Sequence, residues 1–274
     1  MPHIPWSHPE GSKQALLAQF SEFTPGSDHD VYECGSYRIP AIYLNDWPDR
    51  YIHTNFDSAA NIDPTKLLRA AFIGGASGYF LASMGEAEFE PVVGEIEIRH
   101  LERSATLLRR SHNLGASKEV TDEVVALTQS TLLYEAQFLR STEPFIPNRQ
   151  SIDRERVANP LEGVGGMRKP ATGDGLLIFT RAAEPKGPLS VFGYDYFADH
   201  YGASRARSLK VSGYEGLRGS GEDYAYEILN FVDGKRNAQQ IRDAVSAEYG
   251  PIPFAYVIEY LRALESIGIL QVEK

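Results

Sequence analysis

The stretch DRYIHTNFDSAANIDPTKLL, residues 49–68, decides how the first third of the chain is read. It sets His53 and a threonine ahead of a loop aspartate, Asp57, and closes on Asp63-Pro64. Proline at the first helical position gives up only an N–H that has no partner there, so Asp63-Pro64 marks a helix start. A metal site draws ligands from several parts of a chain, so His53 either belongs to a larger constellation or carries no catalysis. Beyond it, DPTKLLRAAFIGGASGYFLASMG is apolar on almost every face up to Gly85, and Gly74, Gly75 and Gly78 would let that helix lie close against a sheet.

Upstream, the spacing of Leu16, Leu17, Phe20 and Phe23 predicts a helix over residues 12–23 with Ser12 as its cap. Ser27 followed by Asp30 is a capping-box pattern with Asp in place of Glu, and Gly35 offers the stop, so a short helix is expected over residues 27–35. IPAIYL, residues 39–44, suits a buried strand. A helix of roughly 12 Å followed by a strand of roughly 20 Å running back would bring His29 and His53 to one end of a sheet. That end, at the carboxyl termini of the strands, is where sites collect in open α/β sheets.

Composition narrows the function classes. With 274 residues, 42% hydrophobic and 11% aromatic, the chain can bury a real core. A formal net charge of −10 argues against a protein that wraps nucleic acid or coats an anionic membrane, because both need a surplus of Lys and Arg. The single cysteine, Cys34, excludes an intrachain disulfide and a multi-thiolate zinc site, and reads as a small buried hydrophobe. The longest uncharged run, residues 70–85, is shorter than the ~18 apolar residues of a membrane span, so a helix buried in protein is expected there. MPHIPWSHPEGSK lacks the apolar core of a signal peptide, which leaves the compartment of any parent protein open.

From Glu86 the texture changes. Two amphipathic patterns joined around Gly115 predict an antiparallel helical hairpin over residues 86–142, and Arg99, Arg103, Arg109 and Arg110, interleaved with Glu95, Glu97 and Glu102, read as a solvated face. Residues 143–220, rich in Pro, Gly and aromatics, are expected to form an irregular linker. GVGG within it lacks the Lys-Ser/Thr of a phosphate loop, and FGYDYFADHYG is expected to pack the linker onto a neighbour. Residues 221–274 show three helical patterns, each stopped by glycine, and a terminal strand in ILQVE. That order resembles a winged helix-turn-helix, in particular the small winged-helix domains that bind peptides in peptide-modifying systems. A DNA-binding version wants a basic recognition helix. From Gly221 on there are five Lys/Arg against nine Asp/Glu, so protein or peptide contact is expected and nucleic acid is not.

GSDHDVYECGSYRIPAIYLNDWPDRYIHTNFDSAANIDPTKL as a whole resembles the final part of the catalytic domain of the di-zinc aminopeptidases, relatives of the glutaminyl cyclases. The resemblance spans about residues 6–85 and rests on SDH, a glycine and an IP strand, a WPD loop, HT-x-x-D and a D-P helix start in that order. It implies a partial zinc-exopeptidase-type α/β sandwich over residues 1–85, followed by a mainly α region with the winged-helix-like domain. His53 would be a zinc ligand through a neutral imidazole nitrogen at about 2.0–2.1 Å, and Asp57 would hold its turn from behind. Asp28 and His29 match the segment that lines the catalytic site. Tyr51 and Ile52 stand in the substrate-contact position, with the aromatic displaced by one from its usual place before the histidine.

The family's reaction uses two zinc ions to polarise a peptide carbonyl and activate water, with a glutamate as base. The remaining ligands, a His with a nearby Asp, a Glu-Glu pair and another Asp, are not supplied ahead of His53, where Glu10, Glu22 and Glu33 stand singly. The resemblance therefore implies the C-terminal portion of a metallo-aminopeptidase acting on peptide substrates, inactive alone and holding zinc at most in part. A companion chain or a homo-oligomer would complete the cut sheet, whose edge invites pairing. The alternative is a non-catalytic peptide- or protein-binding module acting through the hairpin and the winged-helix-like tail.

Overall fold

The computed structural model describes residues 21, 23–46, 48–114, 118–145, 168–191 and 194–273. Residues 12–20 and 22 of the expected helix and the GVGG loop lie outside them, while residues 21 and 23 are not helical. In chain order the elements are α1 (His29–Glu33), α2 (Pro64–Ser83), α3 (Glu86–Leu114), α4 (Lys118–Arg140), β1 (Phe179–Arg181), β2 (Ser190–Val191), β3 (Tyr194–Asp195), α5 (Tyr196–Tyr201), α6 (Ala203–Ser208), α7 (Gly221–Asn230), α8 (Ala238–Tyr249), α9 (Phe254–Ser266) and β4 (Leu270–Val272). Among the described residues the protein is mainly helical, with two antiparallel two-stranded sheets, β1 with β4 and β2 with β3.

The largest core is C-terminal. Ser220 caps α7 by accepting from the Asp223 N–H, and Asn237 closes a full capping box with Gln240 at the start of α8. Glycine ends α8 for a steric reason: Gly250 sits at φ +102°, and a Cβ there would come 2.7 Å from Leu217 Cδ1. The chain then turns through Pro253 into α9. Ile228, Ile241, Val245, Val257, Leu261 and Leu264 from the three helices are buried together with Phe179 and Leu270 from the small sheet. The region expected to be an irregular linker contributes to this core as well, through Phe179, Leu189, Phe197, Leu209 and Val211. Phe197, from the FGYDYFADHYG stretch, packs edge-on against Tyr260 at 5.3 Å.

α3 and α4 form the expected antiparallel hairpin. Phe89, Val93 and Ile96 near the start of α3 pack with Leu139 near the end of α4, while Leu107 packs with Val124 and Leu127. Between these clusters Arg103 grips the buried Glu135 carboxylate with two bonds of 2.6 Å. Of the arginines read as one solvated face, Arg99 pairs with Glu95 and Glu102 at 2.9 Å each on the outside, whereas Arg103 turns inward to Glu135 and Arg110 donates to Glu248 O of α8. α4 lies between α3 and α8, and Val124, Val125, Ala126, Leu127 and Thr128 are therefore all buried.

The first 85 residues differ from the α/β expectation. No strand occurs among their described residues; 39–44 run as unpaired chain with Ile39, Ile42 and Leu44 exposed. An apolar run becomes a strand only where a neighbouring strand satisfies its backbone, and none lies beside this one among the described residues. α2 starts where expected, its Asp63 cap accepting from Thr65 N at 2.8 Å and Lys66 N at 3.3 Å. Yet none of its twenty residues is buried.

Candidate functional site

His53 lies on a tight turn that its neighbours build. Asp49 accepts from the Tyr51 and Ile52 N–H groups at 2.8 and 3.3 Å, and the Thr54 hydroxyl donates to Tyr51 O at 2.6 Å. Between them His53 adopts φ +61°, a left-handed backbone that is uncommon outside glycine and for which histidine is one of the more tolerant residues. His53 and Asp57 are exposed, Tyr51 is half-buried, and Ile52 is 37% exposed.

Asp28 and His29 stand in a different environment. α1 begins one residue later than the capping pattern predicts, with Asp28 as an exposed cap whose side chain accepts no capping bond. Asp30 reaches back instead, accepting from Gly26 N at 2.9 Å. His29 is buried, its Nε2 donating to Thr24 O at 2.8 Å and standing 3.3 Å from Asp30 Oδ1. Burial raises the Asp30 carboxyl above its ordinary range, with the Gly26 N–H and His29 opposing. The ring stacks on Tyr43 with centroids 4.3 Å apart and tilts against Phe23. The rings brought to His29 are thus aromatic ones from its own segment and from the expected strand.

That segment docks onto α7. Phe23 stacks on Tyr226, whose hydroxyl donates to Asp30 O at 2.7 Å. Gly35 N donates to Asn230 Oδ1 at 2.8 Å, and a Cβ on Gly35 would fall 2.9 Å from Asn230 O, so only glycine permits this approach. Ser36 Oγ accepts from Gly187 N at 3.0 Å. Cys34, buried as its residue type suggests, donates to Val31 O. Among the described residues no three of His, Cys, Asp and Glu come together to hold a metal ion. No helix of the described chain is long and apolar enough to cross a membrane.

The other chemically informative feature is a sheet edge. β1 and β4 pair with Thr180 opposite Gln271, and the flanking bonds Ala182 N to Ile269 O and Glu273 N to Ile178 O fix which backbone groups face inward. Alternation along a strand then turns the N–H and C=O of Val272 outward. On its far side β1 meets the start of α8, where Ala238 N donates to Leu177 O. The outer side of β4 pairs with no strand among the described residues. The sequence flagged β4 as a strand but carried no signal of which side would stay open.

No family model matches the chain, and no curated protein or solved structure matches it either.

Proposed function

We propose that the chain acts as a non-catalytic peptide- or protein-binding module whose working part is the C-terminal core with α3 and α4 docked on it. The observation that supports this most is the outer edge of β4, which pairs with no strand among the described residues, on a well-packed domain. Such an edge recognises an extended peptide by main-chain hydrogen bonds, while neighbouring side chains select alternate residues. The helix order with a terminal strand agrees with the resemblance to small peptide-binding winged-helix domains, and the acidic balance of residues 221–274 favours peptide over nucleic acid. Selection of the full chain against a displayed library of random peptides, followed by recapture with His53→Ala, tests the reading: binding should survive that substitution.

A second reading, the C-terminal portion of a metallo-aminopeptidase, is favoured by the His53 turn. Left-handed backbone at a residue other than glycine is a form of strain that proteins keep at functional sites, and among the described residues it falls on Arg38 and on His53, the histidine that matches the family's zinc position. A catalytic site would have to be completed by groups from elsewhere, and His53 with Asp57 would then contribute one ligand and its support. Zinc content and hydrolysis of a leucyl-anilide by the isolated chain decide between the two readings. Two zinc ions per chain with turnover would replace the binding module by the enzyme.

A further inference from the structure

The segment from Phe23 to Ser36 is fastened to the C-terminal core by bonds of its own. Phe23 lies flat on Tyr226, with centroids 5.1 Å apart and the rings 2° from parallel, and Arg218 donates to Phe23 O. The Tyr226 hydroxyl donates to Asp30 O at 2.7 Å, and the Asn230 carboxamide oxygen accepts from Gly35 N at 2.8 Å. Charge works against this contact. Residues 23–36 carry Asp28, Asp30 and Glu33 and no Lys or Arg, and the helix they lie on, GEDYAYEILN of α7, carries Glu222, Asp223 and Glu227, also with no Lys or Arg. Like charges brought together with less water between them repel more strongly than in bulk solvent.

Glu227 stands at the centre of the mismatch. Asn230 links it to the segment, its carboxamide nitrogen donating to Glu227 Oε1 at 3.5 Å while its oxygen holds Gly35. Acting on Glu227 are Asp223 of its own helix, Glu248 of α8 and Glu33 of the segment, all acidic. Tyr249 of α8 and Tyr134 of α4 also lie within reach of its charge. Arg218 is bound to Asp223 at 2.7 Å, and Arg110 of α3 donates to the Glu248 carbonyl. On the segment, Asp30 faces Asp223 in the same way, with His29 3.3 Å from its carboxylate.

We propose that residues 23–36 form a proton-dependent strap, fastened to α7 while Glu227 is protonated and released as Glu227 ionises, so that release carries the buried Cys34 into solvent. The sign follows from linkage. Docking sets Glu33 beside Glu227 and adds to its burial, and both raise the Glu227 carboxyl. Burial in the same contact raises Asp30. The docked form therefore holds its proton more tightly than the released form, and the strap loosens as pH climbs above about 4.5. Release leaves the core in place, because the α7 residues that join the core, Tyr224, Ile228 and Leu229, are not those that bond the strap. Local opening of this kind costs less than global unfolding. The strap involves neither the β4 edge nor the His53 turn and so stands apart from both functional readings.

Cys34 is the single cysteine of the chain and is buried, so its labelling reports release directly. The test is the rate at which 4,4′-dithiodipyridine modifies the full chain at pH 5 and at pH 8. Each rate is divided by that of the urea-unfolded chain at the same pH, which cancels thiol ionisation. Protection of the wild type should fall at least about tenfold between the two, the factor set by one carboxyl that holds its proton about tenfold more tightly when docked. Far-ultraviolet circular dichroism should stay constant meanwhile. Glu227→Gln, which removes the charge and keeps the shape, should hold the pH 5 protection at pH 8, and Glu33→Gln should hold part of it. Equal protection at both pH values, a fall that Glu227→Gln retains in full, or a fall matched by loss of helical signal would each overturn the strap.

Discussion

Arg242 of α8 donates to Glu123 of α4 across 2.5 Å, and this pair ties the helical hairpin to the C-terminal core. The arginine is almost fully buried, and its other two nitrogens donate to Ile252 O at 2.7 Å and Asp243 at 3.1 Å. Asp243 in turn receives two bonds of 2.9 Å from Arg168 and one of 2.9 Å from Gln239. A buried charge network is tolerable only when nearly every member has partners. This one lies where α4 meets α8, so it fixes which face of the hairpin turns toward the domain.

Removing one member should therefore cost more than the pair itself contributes. Arg242→Met strands Glu123 and leaves Asp243 with fewer donors, and it should destabilise the chain by about 3–5 kcal/mol in urea unfolding, as breaking a buried ion pair does. Glu123→Gln, which keeps a hydrogen-bond acceptor, should cost less. Equal and negligible effects of both would mean that the hairpin is held by Val124 and its apolar neighbours alone.

The turn between α8 and α9 has a steric requirement. Gly250→Ala forces a side chain into φ +102° and toward Leu217, which should destabilise the fold by more than ~1 kcal/mol. Urea midpoints of the variant and of the wild type measure it directly. An unchanged midpoint would show that the turn relaxes.

Glu227 on α7 should make stability depend on pH. Burial holds its carboxyl well above the ordinary value of 4.5, with the negative charges of Glu248, Glu33 and Asp223 acting in the same direction. The folded state then binds the proton more tightly than the unfolded state, so stability falls as pH rises above about 4.5 and the full penalty is reached above the raised folded value. Glu227→Gln should raise the thermal midpoint at neutral pH and flatten its decline between pH 4.5 and neutrality, while leaving the midpoint at about pH 4 nearly unchanged. A variant that keeps the wild-type slope would assign the pH dependence to other groups.

The parts of this structure that sequence made legible are those specified locally. Gly250 announces the end of α8 within four residues of the bond it makes, and Asp63-Pro64 does the same for the start of α2. Contacts made at long range were not legible. Gly35 meets Asn230, 195 positions away, and nothing in either local pattern signals the other, so the SDH segment, read as the start of a short helix at the end of a sheet, packs against α7 instead. Residues 39–44 show the limit from the other side, since the same apolar run fits a strand or an uncovered loop and only a partner decides. The stretch 168–220 hid its core residues because Phe179, Leu189 and Phe197 sit in short elements without helical period. For the candidate site, the sequence drew attention to His53 and to the terminal strand; the turn that strains His53 and the open side of β4 needed three-dimensional placement.

The most direct measurement is peptide capture by the full chain carrying Val272→Pro. Proline removes the outward N–H of Val272, which the β1 ladder does not use, and so blocks strand addition without breaking the β1–β4 pair. Peptides selected on the wild type should lose at least about tenfold in affinity for Val272→Pro, the cost of about one main-chain hydrogen bond to a charged or well-aligned partner, and bind His53→Ala unchanged. Capture that ignores Val272→Pro but disappears with His53→Ala would contradict the account and move the functional site to the turn at residues 49–57.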